Sequence, residues 1–270
     1  MWVPAPEYVS ARRVLLDALT ALEGHLDSLV LVGAQAVYQH AGEADLMVPM
    51  MTTDGDLAMN TRGLADVPEI GGLLRAAGFT PGSNPGHWVA DSDVAVDLMV
   101  APHQAGTSKP SARAARLEPH DKFTARITHG LEPALVDNAH IAIHALDPSD
   151  HRVIQLRVAG PAALLSAKAI KIGERLEQSG ARPDRLKAKD ALDAFRILQA
   201  IDTPELVRGF RRHEVDEHAA TVSAEALELY RVHASAPTGR FAELATVAAQ
   251  GDPTVAPAFS ALVSGLLVAL

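Results

Sequence analysis

LVLVGAQAVYQHAGEADLMVPMMTTDGD, residues Leu29 to Asp56, together with its echo VAVDLMV, Val94 to Val100, decides how this chain is read. The apolar run Leu29 to Val32 stops at Gly33 and passes directly into Ala34-Gln35-Ala36-Val37-Tyr38. That is how a buried strand hands over to a helix through a tight turn. Asp54 and Asp56 flank Gly55, and side chains two apart on a strand share a face, so the two carboxylates are expected side by side. Asp97 stands alone among Val94, Val96, Leu98 and Val100, on what reads as a strand buried on both sides. An ionised carboxylate there is costly unless a cation compensates it. Three carboxylates brought together in this way predict a divalent metal site.

Composition sets the outer limits. With 270 residues, 48% of them hydrophobic, the chain can bury one generous core or two modest ones, and the helix-like sequence that dominates its second half favours two. There is no Cys, which excludes disulfides and thiolate metal sites, and the N-terminus has neither the basic nor the apolar region of a signal peptide. A soluble, cytoplasmic protein is expected. The most apolar stretch, Val255 to Leu270, contains Pro257 and is too short to span a bilayer core of ~30 Å, so it reads as a buried terminal helix. A net charge of -9 argues against a surface that coats nucleic acid, while leaving room for a local basic patch.

Outward from the opening stretch, Tyr8 to Leu26 has the apolar spacing of an amphipathic helix that packs on the first strand. The helix after Gly33 should end at Gly42, a C-cap, leaving Glu43 to Met51 as a loop. Thr52 to Ala58 is the Asp-x-Asp strand, Gly71 to Ala77 a short helix and Thr80 to Gly86 a turn. His87, His103 and His120 read as loop residues and Trp88 as core. Lys109 to Arg126 changes character: Lys109, Arg113, Arg116, Lys122 and Arg126 face only Glu118 and Asp121, in an otherwise acidic chain. Ala139 to Leu146 and Val153 to Val158 read as two strands joined through Asp147-Pro148-Ser149-Asp150. From Pro161 the pattern is almost wholly helical. The expected class is therefore α+β, a mixed-sheet domain over 1–160 followed by a helical domain over 161–270.

The strand, small-residue turn, helix, Asp-x-Asp strand and later single acid resemble the nucleotidyltransferase superfamily with the polymerase-beta-like fold. Here the turn is Gly33-Ala34, the pair Asp54 and Asp56, and the third carboxylate Asp97. The chain departs from the pattern in two places. Ala34 stands where Gly or Ser is usual, and the span from Gly33 to Asp54 is longer. Without a hydroxyl at 34, phosphate contacts fall to backbone N–H groups at the helix start. A second resemblance lies in the helices Pro161 to Gln178 and Pro183 to Ile201. Lys168, Lys171 and Arg175 line one side of the first, and Lys189, Asp190 and Asp193 sit in the otherwise apolar second. This looks like the helical half of the AbiEii-like abortive-infection nucleotidyltransferase toxins. Together the resemblances cover about Leu29 to Leu198.

What the resemblance implies is transfer of a nucleotide from a nucleoside triphosphate, with two Mg²⁺ ions held by Asp54, Asp56 and Asp97. Asp97 would also take the acceptor's proton. Gly33, Ala34, Thr53, Lys168 and Lys171 would hold the nucleotide, and Arg175, Lys189, Asp190 and Asp193 would position them. The basic run, through Arg113 and Arg116, points to tRNA or another RNA as acceptor, and the toxin resemblance to a cognate antitoxin as partner. Two other readings stay open: a nucleotide- or partner-binding module without turnover, which Ala34 permits, and a transferase acting on small antibiotic hydroxyls. The plainer alternative is that Lys168 and Asp190 form a structural ion pair between two packed helices.

Overall fold

Alternating and continuous apolar runs in the first part of the chain give one mixed sheet, and the computed structural model describes residues 4–42, 48, 50–90 and 94–270. Its strands among these residues are β1 (Leu29–Val32), β2 (Asp54–Met59), β3 (Thr80–Pro81), β4 (His87–Val89), β5 (Ala95–Val100), β6 (Arg126–Ile127), β7 (Asn138–His144) and β8 (Val153–Ala159). The order is β3-β4-β5-β2-β1-β8-β7, with β6 also paired to β5. β1 runs antiparallel to β2, while β2 and β5 are parallel and in register from Asp54↔Ala95 to Ala58↔Met99. The helices are α1 (Pro6–Ala21), α2 (Gly33–Ala41), α3 (Ile70–Ala76), α4 (Pro161–Glu177), α5 (Ala188–Ala200), α6 (Thr203–His213), α7 (Glu217–Ala234), α8 (Arg240–Ala248) and α9 (Val255–Ala269). The class is α+β, as expected.

Two compact units emerge. One comprises Met1–Ala36, Met50–Leu131 and Asn138–Ala159, the other Val37–Pro49, Glu132–Asp137 and Gly160–Leu270. In the first, α1 lies against β2 and β5. A Cβ on Gly55 would stand 3.1 Å from Leu15 Cδ1, so the glycine lets the helix approach the strand. Leu15, Leu31, Leu57, Val96, Leu98 and Trp88 fill that side and are fully buried. Because side chains alternate, Asp54 and Asp56 are turned to the opposite face of the sheet.

Several expected boundaries shift. The first helix stops at Ala21, and Glu23–Ser28 follows as a 3-10 turn around Gly24. The expected helix from Pro183 is a single 3-10 turn, Pro183–Arg185, after which Leu186 and Lys187 are extended and α5 starts at Ala188. His87 is not a loop residue: it lies on β4, paired with Asp97. Most of the expected loop Glu43 to Met51 falls outside the described residues.

The second unit is held by apolar helix faces, with Phe195 5.6 Å from Phe259 and Tyr230 edge-on to Phe241. It also contains a buried charge cluster. Asp137, 1% exposed, sits where any Cβ on Gly160 would be 2.4 Å from its Oδ2. A Cβ on Gly209 would be 3.2 Å from the same oxygen. Arg212 Nη1 reaches Oδ1 at 2.5 Å, His213 Nε2 lies 3.4 Å from Oδ2, and His213 Nδ1 meets Ser223 Oγ at 2.6 Å. Burial pushes the Asp137 carboxyl up, but His213 and Arg212 outweigh it and hold the pKa below the ordinary value. A depressed folded-state pKa adds stability that is full above the unfolded value, ~3.9, and is lost as pH falls through the folded one. Asp137→Asn should therefore lower the melting temperature at pH 7 and flatten its acid limb below about pH 4. Parallel acid limbs in thermal melts of the two proteins would show that Asp137 carries no such linkage.

Candidate active site

Gly33 is the first residue of α2 and has φ +69°, a left-handed conformation that side chains disfavour. A Cβ there would lie 2.0 Å from Asp56 Oδ2 and 2.7 Å from Asp56 Cγ. The Asp56 carboxylate thus occupies the place of the missing side chain, directly beneath the turn where β1 ends and α2 begins. Backbone N–H groups at such a helix start favour anions. Val32↔Asp56 and Asp56↔Asp97 are register pairs on adjacent strands, so Asp54, Asp56 and Asp97 share one face of the sheet.

Asp54 and Asp97 are each held by neighbours, some close in sequence and some far along the chain. Thr52, 2% exposed, donates its hydroxyl to Asp54 Oδ1 at 2.7 Å, whereas the Thr53 that the sequence suggested is exposed. Gln35, in the first turn of α2, donates Nε2 to the Asp54 carbonyl at 3.0 Å, and its Oε1 accepts from Arg12 Nε at 2.7 Å. Arg12 is 1% exposed and also donates to Tyr8 Oη and the His144 carbonyl, each at 2.8 Å. Burial lowers the Arg12 pKa, and neighbouring Tyr8 opposes that. Asp97 is pinned through both oxygens, by His87 Nδ1 at 2.7 Å on Oδ1 and by Arg126 Nη2 at 3.0 Å on Oδ2.

The donor set of Asp54 and Asp56, hard oxygens on one face beside a helix start, suits a divalent cation such as Mg²⁺. Among the described residues no three His, Asp or Glu side chains converge in metal-holding geometry. Asp97, the third carboxylate of the expectation, is instead met by the Arg126 guanidinium and the His87 imidazole of the chain itself. Arg113 and Arg116 are exposed. Arg113 accepts from the Ile127 N–H through its carbonyl at 2.8 Å, which fixes it beside β6, while its Nη2 is 3.4 Å from Asn84 Oδ1.

A sequence model of the family described as Nucleotidyltransferase matches residues 13–222, most of the chain and every carboxylate above. The chain belongs to that family. No curated protein and no solved structure matches it. Membership supports nucleotide transfer, and the family generally uses a nucleoside triphosphate and a divalent metal. Among the described residues no helix is long and apolar enough to cross a membrane.

In the second unit the family match includes α4 and α5, where Lys168 is 4% exposed and donates to Asp190 Oδ1 at 2.9 Å and Asp193 Oδ2 at 2.7 Å. Lys171 and Arg175 join Asp190 at 2.9 and 3.1 Å, and Arg196 lies 3.5 Å from Asp193 Oδ1. Lys189 is half-buried one position before Asp190. Burial pulls the Lys168 pKa down, but Asp190 and Asp193 more than reverse this and leave it raised. Burial pushes Asp190 up, and Lys168 and Lys171 more than reverse that. The unit therefore holds both as ions.

Gly33 gives the sharpest test of this geometry. In Gly33→Ala the left-handed backbone alone costs about 1–2 kcal/mol, before the collision with Asp56 is counted. The variant should melt lower and lose nucleotide transfer, since Asp56 must leave its seat. Gly55→Ala, whose new methyl has Leu15 side-chain atoms as its nearest neighbours, from 3.1 Å, and lies on the face away from Asp56, should keep transfer. Wild-type transfer by Gly33→Ala would show that Asp56 does not need that seat.

Proposed function

We propose that the chain transfers a nucleotide from a nucleoside triphosphate such as ATP to a hydroxyl of RNA, tRNA-like, in the manner of the AbiEii-like toxins. The reading extends to a cognate antitoxin as partner and to the cytoplasm as compartment. The observation that carries it is the Asp56 carboxylate seated against Gly33 at the start of α2, with Asp54 and Asp97 on the same face. Two Mg²⁺ ions would supply neutralisation of charge on the attacking and leaving oxygens.

The residues divide the remaining work. Asp54 and Asp56 hold the cations, with Asp97 completing the set, and the backbone N–H groups of Gly33 and Ala34, with Thr53, bind the triphosphate. The acceptor oxygen forms its bond to the α-phosphorus as the bond from that phosphorus to the bridging oxygen breaks. Pyrophosphate leaves with the electron pair, and the acceptor proton passes to Asp97. In the second unit Lys168, held by Asp190 and Asp193, and Lys171 and Arg175, held by Asp190, form the charge cluster that fixes α4 against α5. Arg113, exposed and fixed beside β6, and the exposed Arg116 meet phosphates of the RNA.

Asp54→Asn and Asp56→Asn should each abolish transfer of label from a nucleoside triphosphate, while metal-free melting temperatures do not fall, because mutual repulsion is relieved. Near-wild-type transfer by either variant would end the metal assignment. The acceptor is tested separately. Arg113→Glu combined with Arg116→Glu should abolish transfer to RNA and flatten its salt dependence, with triphosphate binding retained. Unchanged RNA labelling by the double variant would remove RNA from the reading.

A further inference from the structure

Asp97 lies where two short strands meet on one edge of β5. β4 pairs with residues 95–97 and β6 with residues 99–100, so the side chain is flanked by His87 from one and Arg126 from the other. The junction is built closely. Gly86 has φ +74°, and a Cβ on it would stand 2.2 Å from the Leu98 carbonyl oxygen and 2.6 Å from the Arg126 nitrogen. Its carbonyl accepts from Leu98 N–H at 2.7 Å, and its own N–H donates to the Phe123 carbonyl at 2.8 Å. Across β6, Ala114 bridges to Arg126, so the backbone carrying this guanidinium is held on both sides.

The charges are unequal in their freedom. The Asp97 side chain is 10% exposed and Arg126 33%. A guanidinium has five N–H donors and does not lose its charge, and one donor, Nη2, meets Asp97 Oδ2. Arg126 can therefore turn toward a second anion from a fixed base, while His87 keeps Asp97 oriented through Oδ1. A divalent cation seeking Asp97 Oδ2 must compete with Arg126 for the same oxygen.

We propose that Arg126 is a counter-cation of Asp97 that competes with the divalent metal, and that once released it donates to a phosphate oxygen of the bound nucleoside triphosphate. This rests on the proposed reading of Asp54, Asp56 and Asp97 as metal ligands. Arg126 then serves two anions in turn, the buried carboxylate before the metal arrives and the nucleotide after it.

The two halves predict effects of opposite sign in one variant. Arg126→Gln removes the charge, so Mn²⁺ binding to the full chain without nucleotide, read from the free-Mn²⁺ paramagnetic resonance signal, should tighten severalfold. Affinity for a non-hydrolysable triphosphate analogue in saturating Mn²⁺, measured by calorimetry, should fall about tenfold or more, the loss of a charge-assisted hydrogen bond. Arg126→Lys should keep Mn²⁺ affinity near wild type. Unchanged or weaker Mn²⁺ binding in Arg126→Gln overturns the competition, and unchanged analogue affinity overturns the phosphate contact. Asp97→Asn supplies a second measurement that does not need Arg126→Gln to fold. By freeing Arg126 it should raise metal-free affinity for the analogue, and a fall would overturn the proposal. The underlying reading fails differently: Asp54→Asn would then bind Mn²⁺ as well as wild type.

Discussion

Asp56 and Asp97 face each other across two hydrogen-bonded parallel strands, about 4.8 Å apart at the backbone. Two carboxylates so placed repel, and the sheet would not tolerate them without compensation. The compensation is local and specific. Asp56 is drawn to a helix start whose first residue has no side chain, and Asp97 is clamped between an imidazole and a guanidinium. The glycines at 33 and 86 make each arrangement sterically possible. What looks like a pair of turn residues is thus the condition for keeping acidic groups in the middle of a sheet.

A second layer fixes the distance between the helix start and the acidic strand. Arg12, buried in α1, holds Gln35 in the first turn of α2, and Gln35 holds the carbonyl of Asp54. Placing a guanidinium in an apolar setting is expensive, and its hydrogen bonds to Gln35, Tyr8 and His144 offset part of that cost. The return is rigidity. Through Arg12 and Gln35, α1, α2, β2 and the end of β7 are tied together, so the start of α2 cannot drift relative to the strand that carries Asp54.

The parts of this site that were legible in the sequence are those governed by local periodicity. A strand that stops at Gly33, two acids at spacing two and one acid in an apolar run can be read without knowing which strands are neighbours. Gln35, Arg12, His87 and Arg126 could not be read that way, because their roles depend on the register of strands and helices distant in the chain, and Thr52, two residues from Asp54, gave way in the reading to its neighbour Thr53. Arg126 was visible as the end of a basic run, yet only the pairing of Met99 with Arg126 turns it toward Asp97. His87 looked like a loop residue because a three-residue strand leaves almost no periodic signal. The buried helical acids of α5 were legible as needing partners, and Lys168 is the partner the pattern offered.

The parallel pairing of β1 with β8 joins Val30 to Arg157, positions more than a hundred residues apart. The carboxylate-bearing pair β2 and β5 and their neighbour β1 are all synthesised long before β8. Until that strand is made, β1 has one bare edge, carrying the unsatisfied amides and carbonyls that recruit stray strands. A nascent or truncated chain ending short of Val153 would hold the acidic face but expose a sticky seam beside it. The sheet is therefore closed only once the hairpin of β7 and β8 has been made, and that hairpin serves as its seal.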